Sequence, residues 1–173
     1  MNKIAVFGSA FNPPSLGHQS VIESVSHFDL ILLVPSIAHA WGKDMLDYSI
    51  RCSLVDEFIR DLELTNIKRS MVEEELYQPG SPVTTYQVLD ELSKTYPDSE
   101  LTFIVGPDNF FSFERFYKAK EIMTRFSVLA CPERVSVRSS DIRAKLLDGR
   151  SIESLTTPSV VKKINALGLY TDS

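Results

Sequence analysis

The sequence predicts an α/β protein, a doubly wound and mainly parallel sheet covered by helices on both faces. Two features of the chain predict it. Short, nearly continuous apolar runs recur from one end to the other, as strands buried on both faces require. Between them lie stretches with helical periodicity. The chain has 173 residues, enough for one full core and too few for two comfortable ones, so residues 1–173 are expected to form one domain.

The elements follow in order. Residues 3–8 form the first apolar run, and residues 18–27 the first helix-length stretch. Residues 29–35 are the second run. From Leu46 onward, Ile50, Leu54, Phe58 and Leu62 recur every fourth residue, with Val55 and Ile59 widening the stripe. Residues 66–72 make a weaker strand, expected near an edge of the sheet. Val88, Leu89, Leu92 and Tyr96 mark a helix that Pro97 stops. Residues 101–106 and 126–131 are two further apolar runs. Ile142 pairs with Leu146 on a helix, and Val160, Val161, Ile164 and Leu167 line the last one before Gly168.

Composition bounds the function. Hydrophobic residues make up 43% and charged residues 24%, an ordinary globular balance. No run approaches the roughly 18 apolar residues of a membrane span. No basic, apolar and cleavable leader precedes residue 4, and the protein is expected to be cytoplasmic. The net charge of −5 disfavours nonspecific nucleic-acid binding but leaves small anionic substrates open. Cys52 and Cys131 lie far apart in apolar runs and read as small core residues rather than a disulfide or zinc site.

Doubly wound sheets bind ligands beyond the carboxyl ends of their strands, so the residues after each run matter most. The first run leads into Gly8-Ser9-Ala10-Phe11-Asn12-Pro13-Pro14-Ser15-Leu16-Gly17-His18. This is a tight loop feeding a helix start, where glycines admit close backbone approach and unpaired N–H groups face an anion. Its spacing is neither G-x-G-x-x-G nor a Walker loop. Either His18 donates to a phosphate oxygen, or Gly17 merely turns the chain and His18 is exposed at a helix end. Near the other terminus, Arg138-Ser139-Ser140-Asp141-Ile142-Arg143 opens another helix. Ser139 or Ser140 can cap it, and Arg143 lies about one turn along, within reach of the same phosphate. An ordinary serine cap with a surface arginine is the alternative. Two such helix starts in one sheet suit a triphosphate.

On these motifs the sequence resembles the bacterial nicotinate (nicotinamide) mononucleotide adenylyltransferase family, within the HxGH nucleotidyltransferases. Gly8, Phe11, Pro13, Gly17 and His18 match the family's Gly-Gly-Thr-Phe-Asp-Pro-x-His-x-Gly-His. Ser139, Ile142 and Arg143 match its late Ser-Ser/Thr-x-x-Ile-Arg, and residues 101–108 resemble its strand ending in Gly-x-Asp. The resemblance covers nearly the whole chain, the tail at Gly149-Arg150-Ser151 and Gly168-Leu169-Tyr170 included. It implies a Rossmann-like nucleotidyltransferase fold. It also implies adenylyl transfer from ATP, with Mg2+, to nicotinate mononucleotide in NAD biosynthesis. By the same resemblance His18 and Arg143 are the catalytic residues, and Gly8, Ser9, Ala10, Phe11, Ser15, Gly17, Gly106, Asp108, Ser139 and Ser140 bind ATP. Asn12, His39, Lys43, Thr84, Thr85 and Phe116 fall to the mononucleotide acceptor, with Phe116 in the place of a tryptophan that stacks on the pyridine. Core packing with Phe110, Phe111 and Phe113 is the alternative for Phe116. Arg51 matches a basic residue of the family; its simpler reading is a charge on a helix surface. His27 reads as a solvated helix-end residue, and no acidic cluster forms a dedicated metal site.

The sequence also departs from the pattern. Ser9, Ala10, Asn12 and Ser15 replace glycine, threonine, aspartate and the first histidine. Serine can donate one hydrogen bond but cannot carry charge. Loss of one donor from an anion site can cost on the order of 3 kcal/mol. Another phosphorylated acceptor, or ATP binding without catalysis, is therefore the alternative function. Between Cys131 and Ser139 the chain is too short for a parallel crossover. The expectation there is a sharp turn with a short antiparallel or edge strand, a more open pocket, and Arg134 or Arg138 facing the nucleotide.

Overall fold

A computed structural model describes residues 2–38 and 44–172. The strands among them are β1 (Asn2–Ser9), β2 (Leu30–Pro35), β3 (Ile67–Arg69), β4 (Ser99–Val105) and β5 (Ser127–Ala130). They form one sheet in the order β3-β2-β1-β4-β5, and every neighbouring pair is parallel. The expected sheet is thus wholly rather than mainly parallel. The weak run at 66–72 contracts to the three residues of β3, at the edge.

Side-chain alternation explains why the central runs are continuously apolar. Ala5 and Phe7, Ile31 and Leu33, and Ile104 point into one core layer. Ile4 and Val6, Leu32 and Val34, and Leu101, Phe103 and Val105 point into the other. A strand covered on both sides has no polar face to spend. The first layer is closed by α1 (Leu16–Ser24), α2 (Tyr48–Leu62), α7 (Ser139–Leu147) and α8 (Pro158–Leu167). The second is closed by α3 (Val72–Leu76), α4 (Thr85–Thr95) and α6 (Ala119–Arg125). Gly168 ends α8 at φ 60°, a left-handed geometry that glycine adopts without steric cost. Three short helices, α3, α5 (Pro107–Phe111) and α6, lack the length to announce themselves by periodicity.

The segment from 131 to 138 corrects one expectation, because it forms neither an antiparallel nor an edge strand. The N–H of Cys131 donates to the Val105 carbonyl at 2.8 Å, extending the pairing of β5 with β4. The chain then turns, with the N–H of Val137 on the Val135 carbonyl at 3.0 Å, and enters α7 directly. The Val137 carbonyl finds its partner in the hydroxyl of Ser15, at 3.1 Å. A side chain of the first loop therefore takes the place of a strand neighbour. Cys52 and Cys131 are buried and free.

Candidate active site

In the order β3-β2-β1-β4-β5 the winding reverses between β1 and β4, and the loops that leave those two strands diverge there. Such a reversal opens a crevice at the carboxyl end of the sheet. The loop after β1 lies at this point and is held by four other parts of the chain. The Ala10 carbonyl accepts from Arg51 at 2.8 Å, that of Asn12 from Arg143 at 2.7 Å, that of Pro13 from Ser139 Oγ at 2.6 Å, and that of Pro14 from Thr156 Oγ1 at 2.8 Å. Tyr170 closes the set by donating to Asn12 Oδ1 at 2.7 Å. Phe11, at φ 49°, turns its ring into the core, 5.7 Å from Phe7 and 4.7 Å from the His18 imidazole. A loop fixed at so many points presents its groups without reorganisation when a ligand arrives.

His18 stands at the first turn of α1. Its Nδ1 accepts the backbone N–H of Ser15 at 3.0 Å. In neutral imidazole the proton must then sit on Nε2, which lies 3.0 Å from Ser9 Oγ. Burial pulls the imidazole pKa down to about 4, so the ring is neutral at pH 7 and offers an N–H donor rather than a charge.

Ser15, 1% exposed, is the N-cap of α1. Its hydroxyl oxygen accepts from the His18 N–H at 3.3 Å and its proton goes to Val137, so the serine orients His18 and anchors residues 131–138. Gly17 belongs to the same contact. A Cβ on it would lie within 2.2 Å of the Val137 carbonyl oxygen, so its missing side chain admits the protein's own backbone rather than a ligand.

Two adjoining clefts open around this loop. The larger, about 500 Å³, brings Gly8, Ser9, Ser15, Gly17, His18, Gly106, Ser139, Ser140 and Arg143 together. Phe11 backs His18 from the core, the Ala10 carbonyl is taken by Arg51, and Asp108 stands beyond Gly106 with its carboxylate on Arg138. Neither serine caps α7: that position falls to Arg138, whose N–H donates to the Asp141 carboxylate at 2.9 Å. Arg138 lines the cleft, whereas Arg134 turns away to the Ser20 carbonyl and Glu23 on the outside of α1.

The second cleft, about 240 Å³, shares Gly8, Phe103 and Asn109 with the first and adds Thr85, Phe116, Val83 and Glu73. Phe116 stands between the smaller cleft and the aromatic cluster. It lines the cleft and packs on Phe113, with ring centres 4.8 Å apart, while Phe110 and Phe111 are exposed. Thr84 caps α4 through the Gln87 N–H, and Asn12 is buried with its side-chain oxygen taken by Leu46 and Tyr170, so neither lines a cleft. His39 and Lys43 lie outside the described residues. His27 is exposed beyond the end of α1.

Arg51 corrects another expectation, for it is buried rather than on a helix surface. Only 1% exposed, it donates to the carbonyls of Leu46, Ala10, Ser36 and Ile37. Its periodic position shows only that it lies on α2, and the stripe of apolar neighbours is the one sign of its burial. Glu73 and Asn109 carry no motif and escape the sequence altogether. Glu73 accepts the Ile37 N–H at 3.1 Å, and burial raises its carboxyl pKa to about 7 against the pull of that N–H and of Arg51.

Residues 6–145 match the family model described as cytidylyltransferase-like. A protein of Anaeromyxobacter sp. strain K, named probable nicotinate-nucleotide adenylyltransferase, is 23% identical over 97% of this chain and 96% of its own. The crystal structure of a Vibrio parahaemolyticus protein, provisionally named nicotinate-nucleotide adenylyltransferase, superimposes with a TM-score of 0.90 at 54% identity, over 100% of this chain and 98% of that one. The nicotinic acid mononucleotide adenylyltransferase of Plasmodium falciparum complexed with NaAD has the same fold, with a TM-score of 0.79 at 16% identity over 98% of each chain.

Proposed function

This chain belongs to the cytidylyltransferase-like family, and on that premise we propose that it transfers the adenylyl group of ATP to nicotinate mononucleotide in NAD biosynthesis. The phosphate oxygen of the mononucleotide attacks the α-phosphorus of ATP, the α–β bridging bond breaks, and pyrophosphate leaves with its electron pair. No group of the protein is covalently attached in this reaction, so the protein acts by positioning and by donating to developing negative charge. One observation carries the reading: His18, Ser139, Ser140 and Arg143 line a single cleft at the point where the sheet reverses.

In this reading the Nε2–H of His18 turns from Ser9 Oγ to the triphosphate, and Ser140 and Arg143 hold its outer phosphates. Ser139 spends its proton on Pro13 and acts by fixing the start of α7 against the loop. Gly106 and Asp108 flank the adenosine, and Phe116 and Thr85 receive the pyridine in the smaller cleft. No three His, Cys, Asp or Glu among the described residues gather where they could hold a metal ion by themselves. Mg2+ would come with ATP, held by phosphate oxygens and water, and would neutralise part of the phosphate charge.

Incubation with ATP, Mg2+ and nicotinate mononucleotide should yield the dinucleotide and pyrophosphate. Folded protein giving no product above background would refute the assignment. One observation favours a second acceptor. The Glu73 carboxyl in the smaller cleft would oppose a carboxylate on the pyridine once ionised, so the amide form belongs in the same assay.

A further inference from the structure

The larger cleft must hold a polyanion if the proposed reaction is right, yet its supply of positive charge is small. His18 is neutral and Ser15 has spent its proton on Val137. The full cations lining the cleft, among the described residues, are Arg143 and Arg138. Arg143 gives one N–H to the Asn12 carbonyl, which fixes it in place. Arg138 is held differently. Its Nη2 lies 3.2 Å from Asp108 Oδ2 and 3.7 Å from Glu133 Oε2, and its side chain is 58% exposed. Exposed ion pairs of this kind contribute little, so the guanidinium can exchange one anion for another at small cost. Asp108 follows Gly106 on the β4 side of the cleft and Arg138 precedes α7 on the other side, so their contact bridges its mouth.

We propose that Arg138 is a further polyphosphate-binding residue, kept at the cleft mouth by Asp108 and Glu133 and passed from those carboxylates to the phosphates of the nucleotide. The inference rests on the nucleotidyl-transfer reading above and adds to it the source of the charge that Ser15 cannot carry. The exchange involves no covalent step. A forked guanidinium leaves one pair of oxygens and meets another, and Asp108 is released to solvent or to the nucleoside.

The test is calorimetric titration with inorganic tripolyphosphate, which has no nucleoside for Asp108 to touch. Arg138→Ala should weaken binding about tenfold, as loss of a charged donor does, and Arg138→Lys should recover part of it. Asp108→Asn should tighten binding about threefold by freeing the guanidinium, and only while Arg138 is present, so that Asp108→Asn with Arg138→Ala matches Arg138→Ala alone. Thermal melts show that the variants, changed at exposed positions, are folded. Equal binding by wild type and Arg138→Ala overturns the proposal and leaves the cleft's phosphate site standing. Wild type that does not bind tripolyphosphate overturns both. Arg138-dependent binding in a protein with no transfer to nicotinate mononucleotide supports the proposal while the acceptor assignment falls.

Discussion

A histidine at the head of a helix can serve as a charge or as an oriented neutral donor, and the two differ in their response to pH. Nδ1 of His18 is occupied by the Ser15 N–H, and desolvation keeps the ring's pKa at about 4. Nuclear magnetic resonance of the imidazole nitrogens should therefore show the Nε2–H tautomer unchanged from pH 8 to about 5. A midpoint near the ordinary 6.5 would refute this placement. Replacing His18 by Ala should lower kcat on the order of a hundredfold, as loss of one preorganised donor does. Ser15→Ala removes the cap and the Val137 tie and should cost about 1 kcal/mol in thermal unfolding. Ser15→His, the change that restores the family motif, should not raise activity, because the 1%-exposed site is already filled against Val137. A gain in kcat on that substitution would show that this loop yields to the larger side chain.

At the scale of elements, α1 and residues 131–138 form one contact surface. The chain leaves β5 with too few residues for a crossover and lays the Val137 carbonyl over Gly17, where a Cβ would come within 2.2 Å. Gly17→Ala must displace backbone rather than a flexible side-chain end, so a loss of about 1–3 kcal/mol in denaturant unfolding is expected. Because the Ser139–Pro13 bond joins the same loop, kcat should fall with it. A variant as stable as wild type would mean that residues 131–138 are not seated there. Much of this level was legible in the sequence. The apolar runs that became β1, β2 and β4 are continuous because both faces are covered, and the stripe from Ile50 to Leu62 could only be a helix. The Gly8–His18 and Ser139–Arg143 segments announced the cleft by residue type. What could not be read were contacts between distant residues: Arg51 buried among four carbonyls, Val137 in place of a strand partner, and Glu73 on the Ile37 N–H in the smaller cleft. Each depends on where the sheet order brings remote segments, which no local periodicity encodes.

Across the whole molecule, two desolvated titratable groups sit on either side of the sheet's carboxyl end and tilt stability in opposite directions. His18 belongs to the first core layer's side and keeps a pKa of about 4 where the unfolded chain has 6.5. As pH falls through that interval the unfolded state takes up a proton that the folded state refuses, so stability is lost toward acid. Glu73, on α3, keeps a pKa of about 7 where the unfolded chain has 4.5. As pH rises through that interval the unfolded state gives up a proton that the folded state retains, so stability is lost toward base. Between about 4.5 and 6.5 the two slopes oppose each other, and together they contribute a nearly flat profile. Arg51 does not depend on Glu73 being ionised, since its guanidinium is already held by four carbonyls. Glu73→Gln keeps an acceptor for the Ile37 N–H and removes one of the two slopes. Relative to wild type, the variant should be no more stable at pH 4.5 and more stable at pH 8. The upper bound on that gain is about 3 kcal/mol, the free energy of displacing one carboxyl over that range. Measured as the midpoint of denaturant unfolding against pH, the two curves should separate steadily between pH 4.5 and 7 and run parallel above it. Curves that stay parallel throughout would mean that Glu73 is ionised in the folded protein, and that Arg51 and the Ile37 N–H together outweigh its burial.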